Sequence, residues 1–147
     1  MHFEGTIDIA APRDRVWAFV TDPRQVAGCG PGVESVDVVD ATHFRATARV
    51  GVGFIRARFV VDMEMTEQQP PERAVIHARG HAPGSAVDAT AEMRLADAPG
   101  GDTTVMTWTA DVTLHGHLVS VGARLVEGTA NRLIGETFDC IRSKLQG

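Results

Sequence analysis

The stretch spanning residues 117–145 constrains everything else in this chain. Apolar residues recur there at helical spacing, first Leu118, Val121 and Leu125, then Ala130, Leu133, Ile134, Phe138, Ile141 and Leu145. Arg124, Glu127, Arg132, Glu136, Asp139, Arg142 and Lys144 interrupt them, so no run of about 18 apolar residues is available to cross a bilayer. At ~1.5 Å per residue a helix of this length reaches about 43 Å. Its apolar face has to be covered along that length by another layer. On an ideal helix at ~100° per residue, the stripe of Leu118, Val121, Gly122 and Leu125 is rotated by roughly 120° from that of Ala130, Ile134, Phe138, Ile141 and Leu145. One straight helix cannot bury both, so the sequence predicts a kink near Gly128. A lid over residues 117–127 would then be followed by a core helix.

The covering layer is supplied upstream. Residues 3–9 alternate apolar and polar, as a half-buried strand does. Pro12 then opens a helix with Val16, Trp17, Phe19 and Val20 on its buried side, and Asp22-Pro23 interrupts it before a Gly-rich run, Gly28-Cys29-Gly30-Pro31-Gly32. Six further strands are read at 33–39, 43–50, 54–66, 73–81, 86–96 and 103–114. The breaks between them carry turn residues, such as Gly51-Val52-Gly53, Pro70-Pro71 and Pro83-Gly84. Loops this short join antiparallel neighbours, so these strands form a meander. The fold class is therefore α+β: a curved antiparallel sheet of about seven strands, short helices after the first, and a long C-terminal helix gripped by the sheet, all in one domain over 1–147.

Alternation assigns the faces. Ile55, Ala57, Phe59, Val61, Met63 and Met65 share one side of a strand, opposite Arg56, Arg58, Asp62 and Glu64. The apolar face mixes small residues (Ala46, Ala48, Ala57, Ala78, Gly80, Ala89, Ala91, Ala110) with large ones (Phe44, Phe59, Met63, Met93, Trp108). Two packings fit this pattern. Gly122, Gly128 and Gly135 would let the helix come close, or the volume stays open for a ligand. The flexible thioethers of Met63, Met65, Met93 and Met106 favour the second. In a meander, alternate connections fall at the same end, so residues 28–33, 51–53, 82–85 and 115–117 gather at the start of the long helix. A mouth is expected there, lined by Cys29, Pro31, Gly51, Gly53, Pro83, Leu118 and Val121.

Chemistry-bearing constellations are thin. His115-Gly116-His117 has no further ligand at metal spacing, and His77 and His81 lie ~13 Å apart along a strand, so no metal site is read. Cys29 has no histidine poised to activate it, Ser85 and Ser120 lack a nucleophile elbow, and Gly51-Val52-Gly53 lacks the third glycine and the following helix of a dinucleotide loop. No cofactor is implied. Net charge is −5 with 14 Lys+Arg, and Tyr is absent, so neither a general attraction to nucleic acid nor a stacking platform is expected. Arg45, Arg49, Arg56 and Arg58 form a stripe on the outer face, read as solvated and paired with Asp62 and Glu64, or else as a dock for an acidic partner. The two cysteines fit neither a disulfide framework nor a zinc spacing, which is compatible with a reducing cytosol; no secretory leader is recognised at the N-terminus, and a soluble cytoplasmic protein is expected.

Taken in order, strand, short helices, six-strand meander and long helix resemble the helix-grip fold of the START-related SRPBCC superfamily. Particular stretches resemble the carbon monoxide dehydrogenase G-subunit family: Ile9-Ala10-Ala11-Pro12 with Val16-Trp17, Asp22-Pro23 before Cys29-Gly30-Pro31-Gly32-Val33, Val50-Gly51-Val52-Gly53, Gly80 to Gly84, Trp108 with Ala110, and Gly116-His117-Leu118 to Leu125. The resemblance implies a non-catalytic accessory protein that associates a molybdenum hydroxylase with the membrane or its quinone pool through an apolar cavity. Gly30 stands where that pattern has an apolar residue. Some members carry a hydrophobic tail that is not seen here, so any membrane contact is expected to be peripheral.

The expected ligand is a hydrophobic small molecule, quinone or lipid-like, lined by Trp17, Phe44, Phe59, Met63, Met93, Met106, Trp108, Glu127 and Phe138. A polyketide cyclase-type enzyme on the same fold is the alternative. It needs acid–base groups inside the cavity, with Glu127 the foremost candidate, and Arg79 only if the strand register slips. A pure protein–protein adaptor is the third possibility.

Overall fold

The computed structural model describes residues 1–146. Strand β1 (His2–Ile9) precedes two short helices, α1 (Arg13–Val20) and α2 (Pro23–Ala27). Six strands follow: β2 (Val33–Val38), β3 (His43–Val52), β4 (Ile55–Gln69), β5 (Arg73–Ala82), β6 (Ser85–Asp97) and β7 (Thr104–Gly116). Helices α3 (His117–Val121) and α4 (Ala123–Gln146) come last. The strands form one sheet in the order β1-β7-β6-β5-β4-β3-β2. β2 to β7 run as the predicted meander, and β1 pairs antiparallel with β7, Phe3 opposite Ala110 and Ile9 opposite Thr104.

The register keeps every small inner residue on one face. Phe59 lies opposite Ala48, Val61 opposite Gly80, Ala78 opposite Ala89, and Met93 opposite Trp108. Because strand side chains alternate with period 2, these pairs fix the rest of each strand. Among the described residues the inner positions of the sheet carry no charge except Asp97 at the end of β6, which lies opposite Thr104.

Buried side chains fall into two groups, one at each end of α4. Ile9, Val16, Phe19, Leu95, Met106, Ile141 and Leu145 join the first strand and α1 to the last turns of α4. Val52, Phe59, Leu118, Val121 and Val126 join α3 and the first turns of α4 to the other end of the sheet. Near the first group Thr104 is fully buried, and its hydroxyl donates to the Ala11 carbonyl at 2.7 Å. The residue pair Asp22-Pro23 does more than interrupt α1. The Asp22 carboxylate accepts from the Arg24 amide at 3.0 Å and so caps α2, with Pro23 at its first position.

Two expectations are corrected. α4 runs unbroken through Gly128, and the break falls at Gly122, whose φ of 98° no helix accommodates. Gly122 takes this left-handed conformation at low cost, ends α3 and re-aims the chain. The rotation between the two stripes is spent there, and Leu125, assigned to the first stripe, is 56% exposed. The expected lid over residues 117–127 is therefore not a separate segment: only α3 precedes the break, and residues 123–127 belong to α4.

The second correction concerns the cysteines. Cys29 and Cys140 form a disulfide across 111 residues of sequence, with Cα atoms 5.4 Å apart. Cys29 is not part of an open mouth: it is buried in the core group at the C-terminal end of α4. No spacing rule exposes such a pair, because the packing of α2 against α4 is what brings the residues together. The bond ties the end of α2 to α4 and closes a loop of more than 100 residues, for which about 2–4 kcal/mol of stabilisation is typical. Thiol titration of the unfolded, unreduced protein should find no free thiol, and Cys29→Ser with Cys140→Ser should lose about that amount in denaturant unfolding. Two titratable thiols in protein purified aerobically would contradict the linkage.

Candidate functional site

The helix does not close onto the sheet. A Cβ placed on Gly122, Gly128 or Gly135 meets no atom within 4 Å, so these glycines do not mediate the close approach that would fill the interior. Two cavities of about 250 Å³ each remain between the sheet and the helices. The first lies toward α3, among Phe59, Val61, Gly80, Val87, Leu118 and Leu133. Its lining is aliphatic apart from Phe59 and Thr129. The second lies toward the C-terminal end of α4, among Ile76, Met93, Met106, Trp108, Phe138 and Ile141. Trp108 and Phe138 are a tilted aromatic pair there, with ring centroids 5.4 Å apart.

One row of residues separates the two cavities. Ala78 and Ile76, Val87 and Ala91, and Val112 and Trp108 are pairs on single strands, the former bordering the first cavity and the latter the second. Ala89 and Ala110 lie between them on β6 and β7. The division is thus one side chain thick, and its sheet side is built from the methyl groups of Ala89 and Ala110 together with Met63, which lies between Val61 and Met65 on β4.

Of the expected lining residues, Phe59 borders the first cavity, and Met93, Met106, Trp108 and Phe138 border the second. Trp17 packs against the core group beside α1. Phe44 and Met63 keep inner register positions but border neither inner cavity. Glu127 is exposed, because the restart of α4 after Gly122 turns its neighbour Val126 inward. Arg79 stays on the outer face, donating to Asp88 at 3.2 Å. Residues that sequence reading passes over include Thr129 and Thr137, whose polarity hides their inward phase; the Thr137 hydroxyl donates to the Leu133 carbonyl at 2.7 Å.

The expected mouth residues divide similarly. The His117 amide donates to the Gly84 carbonyl at 2.8 Å, and a Cβ on Gly53 would come within 2.7 Å of Val121 Cγ1. The Gly51–Gly53 turn, Pro83 and α3 therefore share one end, with Leu118 and Val121 buried beneath. Pro31 is half-buried beside Gly32, whose carbonyl accepts from the Arg49 amide at 2.9 Å, farther down the sheet. At the opposite end Leu95 and Glu72 join the β4–β5 turn to β6, and Arg13 reaches Glu72 and Asp97 at 3.7 and 3.6 Å.

Charge is confined to the outer face and the ends. Arg45 pairs with Asp62 at 2.6 Å as expected, but Arg58 takes Glu34 at 2.9 Å, and Glu64 is met by His43. A hydrogen bond from His77 and the nearby Arg79 hold the Asp88 carboxyl below its usual range, and hydrogen bonds from Arg73 and Arg94 do the same for Glu92. Among the described residues no group of three His, Cys, Asp or Glu could hold a metal ion, and no helix is long and apolar enough to cross a membrane.

A family model for the carbon monoxide dehydrogenase G subunit (CoxG) matches residues 5–146. The chain belongs to the CoxG family. Among curated proteins no relative matches it. A conserved protein from Geobacillus kaustophilus superposes with a TM-score of 0.92 at 21% identity, over 99% of this chain and 95% of that one. A START superfamily protein from Mycobacterium smegmatis gives 0.75 at 11%, over 99% and 97%. The Zhui aromatase/cyclase from a Streptomyces species gives 0.72 at 19%, over 99% and 93%. At these identities the likeness establishes the fold, a START-like helix grip, that CoxG proteins share with a cyclase.

The geometry assigns unequal weight to two neighbouring apolar positions of α3. Leu118, 2% exposed, both borders the first cavity and anchors α3; Val119 beside it is 61% exposed. Leu118→Ala should cost about 3 kcal/mol in denaturant unfolding, and Val119→Ala less than about 0.5 kcal/mol.

Proposed function

We propose that this CoxG protein is a non-catalytic accessory protein that holds a hydrophobic molecule, quinone or lipid-like, between sheet and helix. It would thereby assist the membrane or quinone-pool association of a molybdenum hydroxylase of the carbon monoxide dehydrogenase type. The observation that carries this reading is the first cavity: about 250 Å³ with an almost wholly aliphatic lining, left open under a helix anchored at both ends. Apolar space of that size in a well-packed domain favours occupation by an apolar ligand. The cyclase-type alternative needs an acid–base group in the cavity, and Glu127, its foremost candidate, is at the surface.

The α3 end supports peripheral membrane contact. Phe54 is 73% exposed at the β3–β4 turn, next to exposed Val119 and Leu125. Arg56 and Arg124 flank them, while the opposite end carries Asp40, Glu67, Glu72, Asp97 and Asp102. An apolar tip with basic flanks on an acidic protein suits the surface of an anionic bilayer, and it places the lid next to the lipid from which a ligand would be drawn.

Two experiments test this. Native mass spectrometry and organic extraction of detergent-free protein should reveal a bound apolar molecule, and decylubiquinone should bind to protein stripped of it. Ala130→Phe, which fills the first cavity, should weaken binding at least about tenfold with an unchanged circular dichroism spectrum. A protein that carries nothing and binds no quinone analogue overturns the reading. Separately, flotation with vesicles containing anionic lipid should recover the protein, and Phe54→Ser with Leu125→Ser should abolish recovery; equal recovery of both forms removes the tip from the proposal.

A further inference from the structure

The segment that walls the second cavity beside the sheet is tied down at a single residue. Between Val20 and Arg45, a stretch that includes α2 and β2, Cys29 alone is buried. No residue of α2 is buried, and β2 is an edge strand with a hydrogen-bonded neighbour on one side only. Yet this segment is part of the cavity wall, since Thr21 and Val26 border the second cavity together with Met65 and Ile76 of the sheet. Cys29 is bonded to Cys140, which lies on α4 between Phe138 and Ile141, two residues that line the same cavity. The disulfide therefore joins the α2 wall to the helix wall.

Without the bond the two walls are unequally held. α4 keeps Ile141 and Leu145, each 3% exposed, among the core residues of α1 and β1. α2 keeps the half-buried Val26 and no buried aliphatic side chain. Elements with few buried anchors are the ones that open locally, so breaking the bond frees α2 and leaves α4 in place.

Resting on the carrier reading above, we propose that the Cys29–Cys140 bond is a redox latch on a release port between α2 and the sheet. Oxidised, it retains an apolar ligand in the second cavity; reduced by a dithiol, it lets α2 lift and the ligand leave. The reduction is a pair of thiol–disulfide exchanges. One thiolate of the dithiol forms a mixed disulfide with Cys140, the half-buried member of the pair, and displaces Cys29, which takes up a proton. The second thiolate displaces Cys140, which is protonated in turn, and closes the dithiol into its own disulfide. Two electrons and two protons thus pass from the dithiol to the protein. Retention of the ligand is coupled in this way to the redox state of its surroundings.

Dithiothreitol serves as the dithiol in the test. Added to the folded protein, it should produce two titratable thiols with the circular dichroism spectrum unchanged. The Val26, Gly28 and Cys29 amides, which donate to the Asp22, Arg24 and Val26 carbonyls, report on α2. Their hydrogen exchange should quicken at least about tenfold on reduction, and that of amides in the middle of α4 by less than about twofold. Diphenylhexatriene and Nile red are neutral apolar probes that do not react with thiols. They should bind the oxidised protein and dissociate at least about tenfold faster from the reduced one. Cys29→Ser with Cys140→Ser should release them at the fast rate with or without dithiothreitol. A bond that yields only after unfolding, exchange that quickens equally along the whole chain, or release that is indifferent to redox state overturns the latch and leaves the carrier reading standing. If the oxidised protein binds neither probe, the carrier reading and the latch fall together.

Discussion

The structure depends on the way α4 is held. Each end of the helix is fixed by its own buried cluster: Ile141 and Leu145 among α1 and β1 residues, with the Cys29–Cys140 bond alongside, and Val126 with Leu118 and Val121 at the other. A helix free to settle would move toward the alanine-rich face and recover the dispersion energy that open space forfeits. Held at both ends, it cannot do so without unseating a cluster. The two cavities follow from this constraint, not from any single bulky residue.

The sheet contributes through the face turned away from the helix. Cross-strand pairs such as Arg45 with Asp62, Arg79 and His77 with Asp88, and Arg73 with Glu92 run over β3 to β6. Exposed pairs of this kind are individually worth roughly 0–1 kcal/mol, and their main effect is to penalise a register slip that would juxtapose like charges or turn arginine inward. Register fidelity matters more than usual here. A shift of one residue would drive charge into a face whose methyl groups and single glycine define the cavity floor.

Most of this architecture is legible in the sequence because its signals are local. Period-2 alternation and Gly/Pro turns locate all seven strands, and alternation alone puts Ala78, Ala89 and Ala110 on the inner face. The features that escape depend on where elements dock. Gly122 and Gly128 look alike as letters, and only the positive φ at Gly122 tells which one ends a helix. A break misplaced by six residues carries further errors with it, making Leu125 read as buried and Glu127 as facing the cavity. The Cys29–Cys140 bond escapes for a related reason, since residues 111 apart are made neighbours by the seating of α2 on α4. Phe44 and Met63 show the same limit on a smaller scale. Their face is legible, but whether they border open space depends on the height of the helix above them.

The position of the break has a functional sense that a kink at Gly128 would not have had. A bend in mid-helix would divide the span over the cavities and leave the second half as the only rigid wall. A break at Gly122 keeps 24 residues of α4 as one continuous beam and leaves five residues of α3 as a separate plug. The plug is held by Leu118 and Val121 and flanked by Gly53 and Gly84, both at positive φ in tight turns. Lifting it disturbs one cluster only, while the disulfide-tied end and the Trp108–Phe138 pair stay in place. Local opening in proteins draws on elements with few buried anchors, and α3 has two against the several that hold the far end of α4. For the proposed carrier role, this asymmetry in how the helix is tied down makes the α3 end the place where a ligand would enter.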